Sequence, residues 1–313
     1  MSTPVSSRSS PSTQVAAAFR EYERLLWGVA YRMTGGAADA DDVVQETFRR
    51  ALEHPPARLD EPLRPWLIAV AMNVARDALR ERKRRPYVGT WLPSPVDDDD
   101  LALDAPSTEA RYELRESVSY AFLLALEALT PLQRAVLLLR DVLDYSVRET
   151  AEVLRVSENH VKVTHHRARR AMAAYEQTRG ADPSDLEART RASLERFLTA
   201  LALGDAAGAA ACLTSDALLR ADGGGEFASA LRPLEGADRI YRFLVGVQAK
   251  RGQPHRYGVR TVNGLPAVIA EYDGMQGRWA PRFVLRCEVD AAGAIREVHI
   301  VLATPKLGRI APL

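Results

Sequence analysis

Residues 130–172 read TPLQRAVLLLRDVLDYSVRETAEVLRVSENHVKVTHHRARRAM, and this stretch divides into three helices, each with its own start signal. Thr130 can cap the first, with Pro131 in its first turn and Gln133 three residues after the cap. Ser146 and Glu149 repeat that capping box for the second. Ser157 caps the third, which runs on with Val161, His165, Ala168 and Met172 turned inward. Ala151 is small where two helices must cross closely, and Val161, ten residues on, locks one against the other. The turn Arg155-Val156-Ser157 completes the spacing of a helix-turn-helix. Arg155 stands where a left-handed backbone favours Gly, which costs about 1 kcal/mol.

The outward face of the third helix then carries Asn159, Lys162, Val163, His166, Arg167 and Arg170. Polar residues in the first turn and arginines behind them suit a major groove, with base edges met first and phosphates later. A solvated basic helix is the plainer reading, and the caps and turn spacing favour DNA binding over it.

Outward from this stretch, 313 residues predict two or three domains. An apolar content of 47% and a charged content of 27% fit a globular chain. The net charge is +1, so a basic surface for nucleic acid must be segregated by region. Two cysteines, Cys212 and Cys287, exclude a disulfide framework and cannot alone complete a zinc site. No cofactor is expected. No apolar run reaches membrane-spanning length, and residues 1–14 lack a signal-peptide core, so a cytoplasmic protein with a short disordered tail is expected.

A first amphipathic helix is predicted from Val15 to Met33, ended by Gly35-Gly36. In the next, AADADDVVQETFRRAL, acidic residues crowd the first turns, where the dipole favours them. Its inward stripe is Val44, Phe48, Ala51 and Leu52; Asp42, Gln45, Glu46 and Arg49 lie outside. After the loop from His54 to Pro62, a third helix has Trp66, Leu67, Val70, Ala71, Val74 and Ala78 on its apolar side. It ends in a cationic cluster that includes Arg76, Arg80, Arg82, Lys83 and Arg84, read as a phosphate-tracking surface. The stretch 86–110 is a Pro- and Asp-rich linker, in which Trp91 and Leu92 suggest docking on something. Its Asp run reads either as a spacer or as a mimic of DNA. A helix over 111–129 leads into the opening motif.

From about residue 186 helices give way to strand-like runs, HRYGVRTVN, LPAVIAEYDG, RFVLRCEVDA and IREVHIVLA, with Asn263-Gly264 and Ala292-Gly293 as turn signals. This predicts helices followed by an antiparallel curved sheet, an α+β domain.

Taken in order, DADDVVQETFRRAL, PWLIAVAMNVARDALRERKRR and the opening stretch resemble extracytoplasmic-function (ECF) RNA polymerase sigma factors over residues 15–176. The third part looks like a SnoaL-like cone, related to nuclear transport factor folds. Trp91-Leu92-Pro93 in the linker, Asp222-Gly223-Gly224-Gly225, Asn263-Gly264-Leu265-Pro266 and Pro305-Lys306-Leu307 resemble the pattern of the SigJ-like subgroup, which carries such an extension; Ser94 departs from it. The implied fold is multidomain: two all-α sigma domains, region 2 and a region 4 helix-turn-helix, followed by the α+β cone. The implied boundaries are a tail at 1–14, region 2 at 15–86, a linker at 87–110, region 4 at 111–178, a linker at 179–185 and the SnoaL-like domain at 186–313.

The resemblance implies roles by position. Asp39, Asp42, Gln45, Glu46 and Arg49 match the face that grips the clamp helices of the β′ subunit of core RNA polymerase; the β flap is the other implied contact. The 54–62 loop with Asn73, Arg76, Asp77 and Arg80, extended by Arg82, Lys83 and Arg84, matches the part that opens the downstream promoter element and holds unpaired bases. Ser157, Asn159, His160, Lys162, Val163, His166, Arg167 and Arg170 match the reader of the upstream element. Thr164 and His165 stand where apolar residues are usual. Trp91, Leu92, Pro93 and Asp222–Gly225 are the implied regulatory contact between the linker and the SnoaL-like domain, tuning activity in cis.

Asp222, His255, Tyr257 and His299 are the acid/base candidates of the extension, and none has a spacing that names a reaction, so no enzyme is expected. Its pocket leaves a small, unidentified ligand open. The competing whole-protein readings are a helix-turn-helix regulator with a ligand-sensing domain and an isomerase on a DNA-binding tether.

Overall fold

The computed structural model describes residues 11–56, 62–98, 117–178, 183–274 and 277–313. They fall into two compact units, 1–84 with 129–169 and 85–128 with 170–313.

In the first unit, α1 (Pro11–Thr34), α2 (Ala37–Glu53) and α3 (Leu63–Arg84) form a bundle. Gly35 takes φ 73° and turns the chain from α1 into α2. Leu26, Ala30, Val44, Phe48, Ala51, Leu67, Ala71 and Val74 are buried between them. Leu52 does not join the stripe expected of it; it is 50% exposed, and Ala40, Val43 and Thr47 are buried on α2 instead. Phe19 meets Phe48 edge-on at 4.5 Å. Buried Arg134 donates to the Met33 carbonyl at 3.0 Å and ties the bundle to the next helix.

That helix, α5 (Pro131–Leu137), starts on the capping box Thr130/Gln133 and runs into a π-helical turn, Leu138–Val142. No residue pattern in this stretch signals the widening. α6 (Val147–Leu154) starts on the second capping box, Ser146/Glu149. Arg155 ends it at φ 55°, ψ 50°, the left-handed geometry expected at that position. Ser157 Oγ accepts from the His160 amide at 3.2 Å and caps α7 (Glu158–Thr178).

In the second unit, the described part of the helix expected over 111–129 is α4 (Tyr120–Leu126), which starts on Ser119, whose side chain accepts from the Phe122 amide. Residues 111–116 and 1–10, like 57–61 of the loop after α2, lie outside the described residues. Then come α8 (Pro183–Leu203), α9 (Ala206–Ala211), β1 (Leu213–Asp222), β2 (Leu234–Glu235), α10 (Ala237–Arg251), β3 (Arg256–Val262), β4 (Leu265–Glu271), β5 (Arg282–Val289) and β6 (Ile295–Val301). The sheet order is β2-β1-β6-β5-β4-β3. It is mixed rather than antiparallel throughout, because β1 pairs parallel with β6. On β1, Ala217, Leu219 and Ala221 pack under the helices, while Asp222 is buried on the other side, so the polar end of the strand does not read as a half-buried one.

The two faces of the sheet have different covers. Leu219, Leu285, Cys287, Val298 and Ile300 meet α8 and α10. Ala267, Ile269, Val284 and Val301 meet Leu92 of the linker, Tyr120 of α4, and Leu307 and Ile310 of the C-terminal tail. That face of the sheet is therefore covered by the chain's own linker, α4 and tail. Asn263 and Gly264 form the tight β3–β4 turn at φ 50° and 80°.

Candidate functional sites

The acidic face of α2 holds Asp42, Gln45 and Arg49 exposed, with Asp39 and Glu46 half-buried. Glu46 and Arg49 pair at 2.7 Å, and Arg50 also reaches Glu46, at 2.6 Å. Hydrogen bonds from Arg49 and Arg50 hold the Glu46 carboxyl down at about 2. Exposed pairs of this kind contribute little to stability.

Asn73 donates through Nδ2 to the Val153 carbonyl at 3.0 Å, and Arg76 Nη1 approaches the Leu154 carbonyl at 3.4 Å. Two residues of the downstream-promoter set thus cap the C-terminal end of α6, where the helix dipole favours a cation. Burial, with Arg80 and Arg155 close by, lowers the Arg76 pKa. Asp77 pairs with Arg80 at 3.0 Å, and Lys83 donates to the Leu129 carbonyl at 2.8 Å. Arg84 is exposed and Arg82 half-buried.

On α7, Val161, Ala168 and Met172 are buried; Asn159, His160, Lys162, Val163, His166, Arg167 and Arg170 are exposed, as is Ser157 before it. Thr164 is 6% exposed and packs inward. His165 does not pack as an apolar residue would; its Nε2 lies 2.7 Å from Asp141 Oδ1 on the π-helical turn.

In the second unit Asp222, at the end of β1, is fully buried and saturated. Oδ1 accepts from the Tyr87 hydroxyl at 2.6 Å and from the Gly224 amide at 3.0 Å. Oδ2 accepts from the Leu92 amide at 2.8 Å and from Lys306 Nζ at 2.5 Å. Lys306 also donates to the Leu92 carbonyl, and its ammonium lies over Trp91 at 4.2 Å and Tyr87 at 5.0 Å. The Asp222 carbonyl accepts from Leu302 and Ala303 of the tail. Gly223 closes the turn, its carbonyl accepting from Glu226 and Phe227. Gly224 sits at φ 59°, where a Cβ would come within 2.9 Å of Ala303; at Gly225, φ 77°, it would press on Val88 at 3.2 Å. Gly223 packs on its own loop at Phe227 and Ser229, while Gly224 and Gly225 lie against the tail and the linker, so the turn is not a free hairpin tip.

A second tie joins the same partners. Buried Asn263 accepts from the Val96 amide at 3.0 Å and donates to the Val118 carbonyl at 2.9 Å. Pro93 offers its carbonyl to the Tyr120 hydroxyl at 3.0 Å. Tyr87 and Tyr120 are not among the site residues expected from the sequence, and Asn263 and Lys306 stand there only within motifs of the family pattern. A Tyr, an Asn and a Lys on loops carry no spacing that would mark them.

Of the acid/base candidates, Asp222 and His299 are fully buried; Tyr257 is 73% exposed, and His255 pairs with Asp273 at 3.3 Å. Among the described residues no group of three or more His, Cys, Asp or Glu is placed to hold a metal, and no helix is long and apolar enough to cross a membrane.

Residues 18–85 match the Sigma-70 region 2 family and residues 119–172 match Sigma-70, region 4. The ECF RNA polymerase sigma factor SigJ of Mycobacterium tuberculosis is 34% identical over 273 residues, spanning 84% of this chain and 85% of its own. The chain belongs to the ECF sigma factor family. This alternative sigma factor is also similar to SigG of the same organism, 40% identical over 169 residues, 47% of this chain and 45% of that one. The crystal structure of M. tuberculosis SigJ superposes with a TM-score of 0.72 at 27% identity, covering 95% of this sigma factor and 99% of SigJ. That match includes the C-terminal helix-and-sheet domain. As a sigma factor the protein binds core RNA polymerase and promoter DNA.

Proposed function

We propose that this ECF sigma factor is regulated in cis by its SnoaL-like domain, through the bonds that Asp222 and Lys306 make with the linker at Tyr87, Trp91 and Leu92. The observation that carries this reading is the four-fold saturation of the buried Asp222 carboxylate, two bonds of which come from linker residues. Removing one partner of such a pair costs about 3–5 kcal/mol, enough to hold a linker in one place. The contact of Asn73 and Arg76 with α6 is weaker, two bonds of about 1 kcal/mol each, within reach of competition from promoter DNA and polymerase.

In this reading Asp39, Asp42, Gln45, Glu46 and Arg49 meet the β′ clamp helices, and the region 4 part meets the β flap. Asn73, Arg76, Asp77, Arg80, Arg82, Lys83 and Arg84 serve the downstream promoter element. The exposed face of α7 from Ser157 to Arg170 reads the upstream one. The body of the third domain supports an active arrangement, while the tail after Val301 restrains it by pinning the linker. Run-off transcription with core polymerase tests this: a chain ending at Ala303 gives more transcript than the full chain, and one lacking the whole domain gives less. Equal effects from both truncations would rule it out.

A further inference from the structure

The linker-facing side of the sheet carries a polar row that the regulatory reading leaves unused. Arg220 on β1, His299 on β6 and Arg286 on β5 are direct cross-strand neighbours. Glu297 and Glu288 pair one step along the same face. Arg286 is 1% exposed and His299 is fully buried. Glu288 takes Arg286 Nη1 at 3.1 Å, and Glu297 takes His299 Nε2 at 2.8 Å. What remains is informative: Arg286 Nε and Nη2 and His299 Nδ1 have no hydrogen-bond partner among the described residues. Each buried polar atom left in that state costs about 1–3 kcal/mol, so three on two adjoining side chains are not what packing alone would select.

Nε and Nη2 form the edge of a guanidinium that receives a carboxylate through two parallel bonds. Its face is covered by Tyr120, with Arg286 Cζ 4.2 Å from the ring centroid. The Tyr120 ring also lies 5.4 Å from that of His299. This cover is supplied by α4, not by the sheet or its helices, and beside it stands an apolar wall that includes Ile269 and Val284.

We propose that this is a binding site for a small carboxylic acid with an aromatic or apolar body. The carboxylate takes the Nε/Nη2 edge of Arg286, and the body takes the place of the Tyr120 ring, so that ligand and α4 compete for one seat. His299 donates to Glu297 through Nε2, and burial keeps it neutral by lowering its pKa. Its Nδ1 is then an acceptor, suited to a hydroxyl of the ligand or to a bridging water rather than to a second carboxylate. The consequence for transcription rests on the cis-regulation reading; the binding itself does not.

The test titrates 4-hydroxyphenylacetate, whose ring and hydroxyl reproduce the tyrosine side chain, into the full-length protein by calorimetry. Tyr120→Ala uncovers the site and is expected to bind at least about tenfold more tightly than wild type. Adding Arg286→Gln to Tyr120→Ala removes that binding, and tyrosol, which lacks the carboxylate, does not bind. If Tyr120→Ala fails to fold, Tyr120→Leu replaces it, and Arg286→Lys, which keeps the charge but loses the fork, replaces Arg286→Gln with the same expected loss. No saturable binding to the uncovered variant, or binding shared equally by tyrosol or by the Arg286 variants, overturns the proposal. A water filling the place in crystals of the uncovered variant soaked with the acid overturns it too. None of these outcomes touches the transcription readout, so the site can fail while the regulatory reading stands.

Discussion

The backbone amide of Leu92 donates to the buried carboxylate of Asp222 at 2.8 Å, joining positions 130 residues apart. An amide cannot be mutated away, which makes the acceptor the place to intervene. Asp222→Asn keeps the shape but loses the charge opposite Lys306, leaving an ammonium among Tyr87, Trp91 and Leu92 without its counter-ion. The expected result is a chain destabilised by about 3 kcal/mol in the second unit and a linker newly open to proteolysis around Tyr87–Val96. Limited digestion of wild type and variant side by side checks this; identical cleavage patterns would contradict it.

Asn73 and Arg76 pose the matching question in the first unit, since residues assigned to unpaired promoter bases are bonded to the end of α6. Joining Asn73→Cys to Val153→Cys with a short reducible cross-linker is expected to block promoter opening, with recovery on reduction. The native cysteines do not interfere, because Cys212 and Cys287 are buried and burial pushes the Cys287 thiol up to about 12. Undiminished transcription from the cross-linked protein would show that the contact persists in the active state.

That thiol gives its own prediction. Alkylation by iodoacetamide near pH 8 is expected to leave Cys287 unmodified in the folded protein and to label it only in denaturant. Mass spectrometry of the two digests reads the result.

Acid weakens the sheet domain in a definite direction. Burial lowers the pKa of His299, so the unfolded chain binds a proton that the folded one refuses. Stability therefore falls as pH drops below the ordinary histidine value of about 6.5. For Glu297 burial raises the pKa, but the hydrogen bond to His299 and the nearby Arg220 outweigh it and the net shift is downward. Its contribution is present above the ordinary carboxylate value and is lost as pH falls through the lowered one. Both slopes have the same sign. Melting curves between pH 8 and pH 5 should move down, and His299→Asn should flatten the upper part of that change.

Much of this was legible in the sequence, for reasons that differ by element. Capping boxes are local, so Thr130/Gln133 and Ser146/Glu149 placed two helix starts correctly, and the left-handed turn followed from the spacing at Arg155. Leu52 departs from its stripe: it lies in the last turn of α2 and is 50% exposed. The strand β1 has no clean alternation to reveal it, since Ser215 and Asp216 are exposed, Arg220 pairs with Glu297 and Asp222 is buried against the linker. Trp91-Leu92-Pro93, Asp222, Asn263 and Lys306 could be named from the family pattern, yet nothing in their spacing says which of them meet or that Tyr87 joins them. Arg286 carries no signal of its own within the run RFVLRCEVDA, since an arginine in a strand usually faces solvent.

The most direct measurement is run-off transcription with purified core polymerase, comparing wild type with Lys306→Met. Transcripts that depend on the added protein are expected from both. The variant, unable to hold Asp222 and the Leu92 carbonyl together, is expected to give about fivefold more, the lower end of a typical coupling between sites. Equal yields from the two proteins would contradict restraint by the third domain.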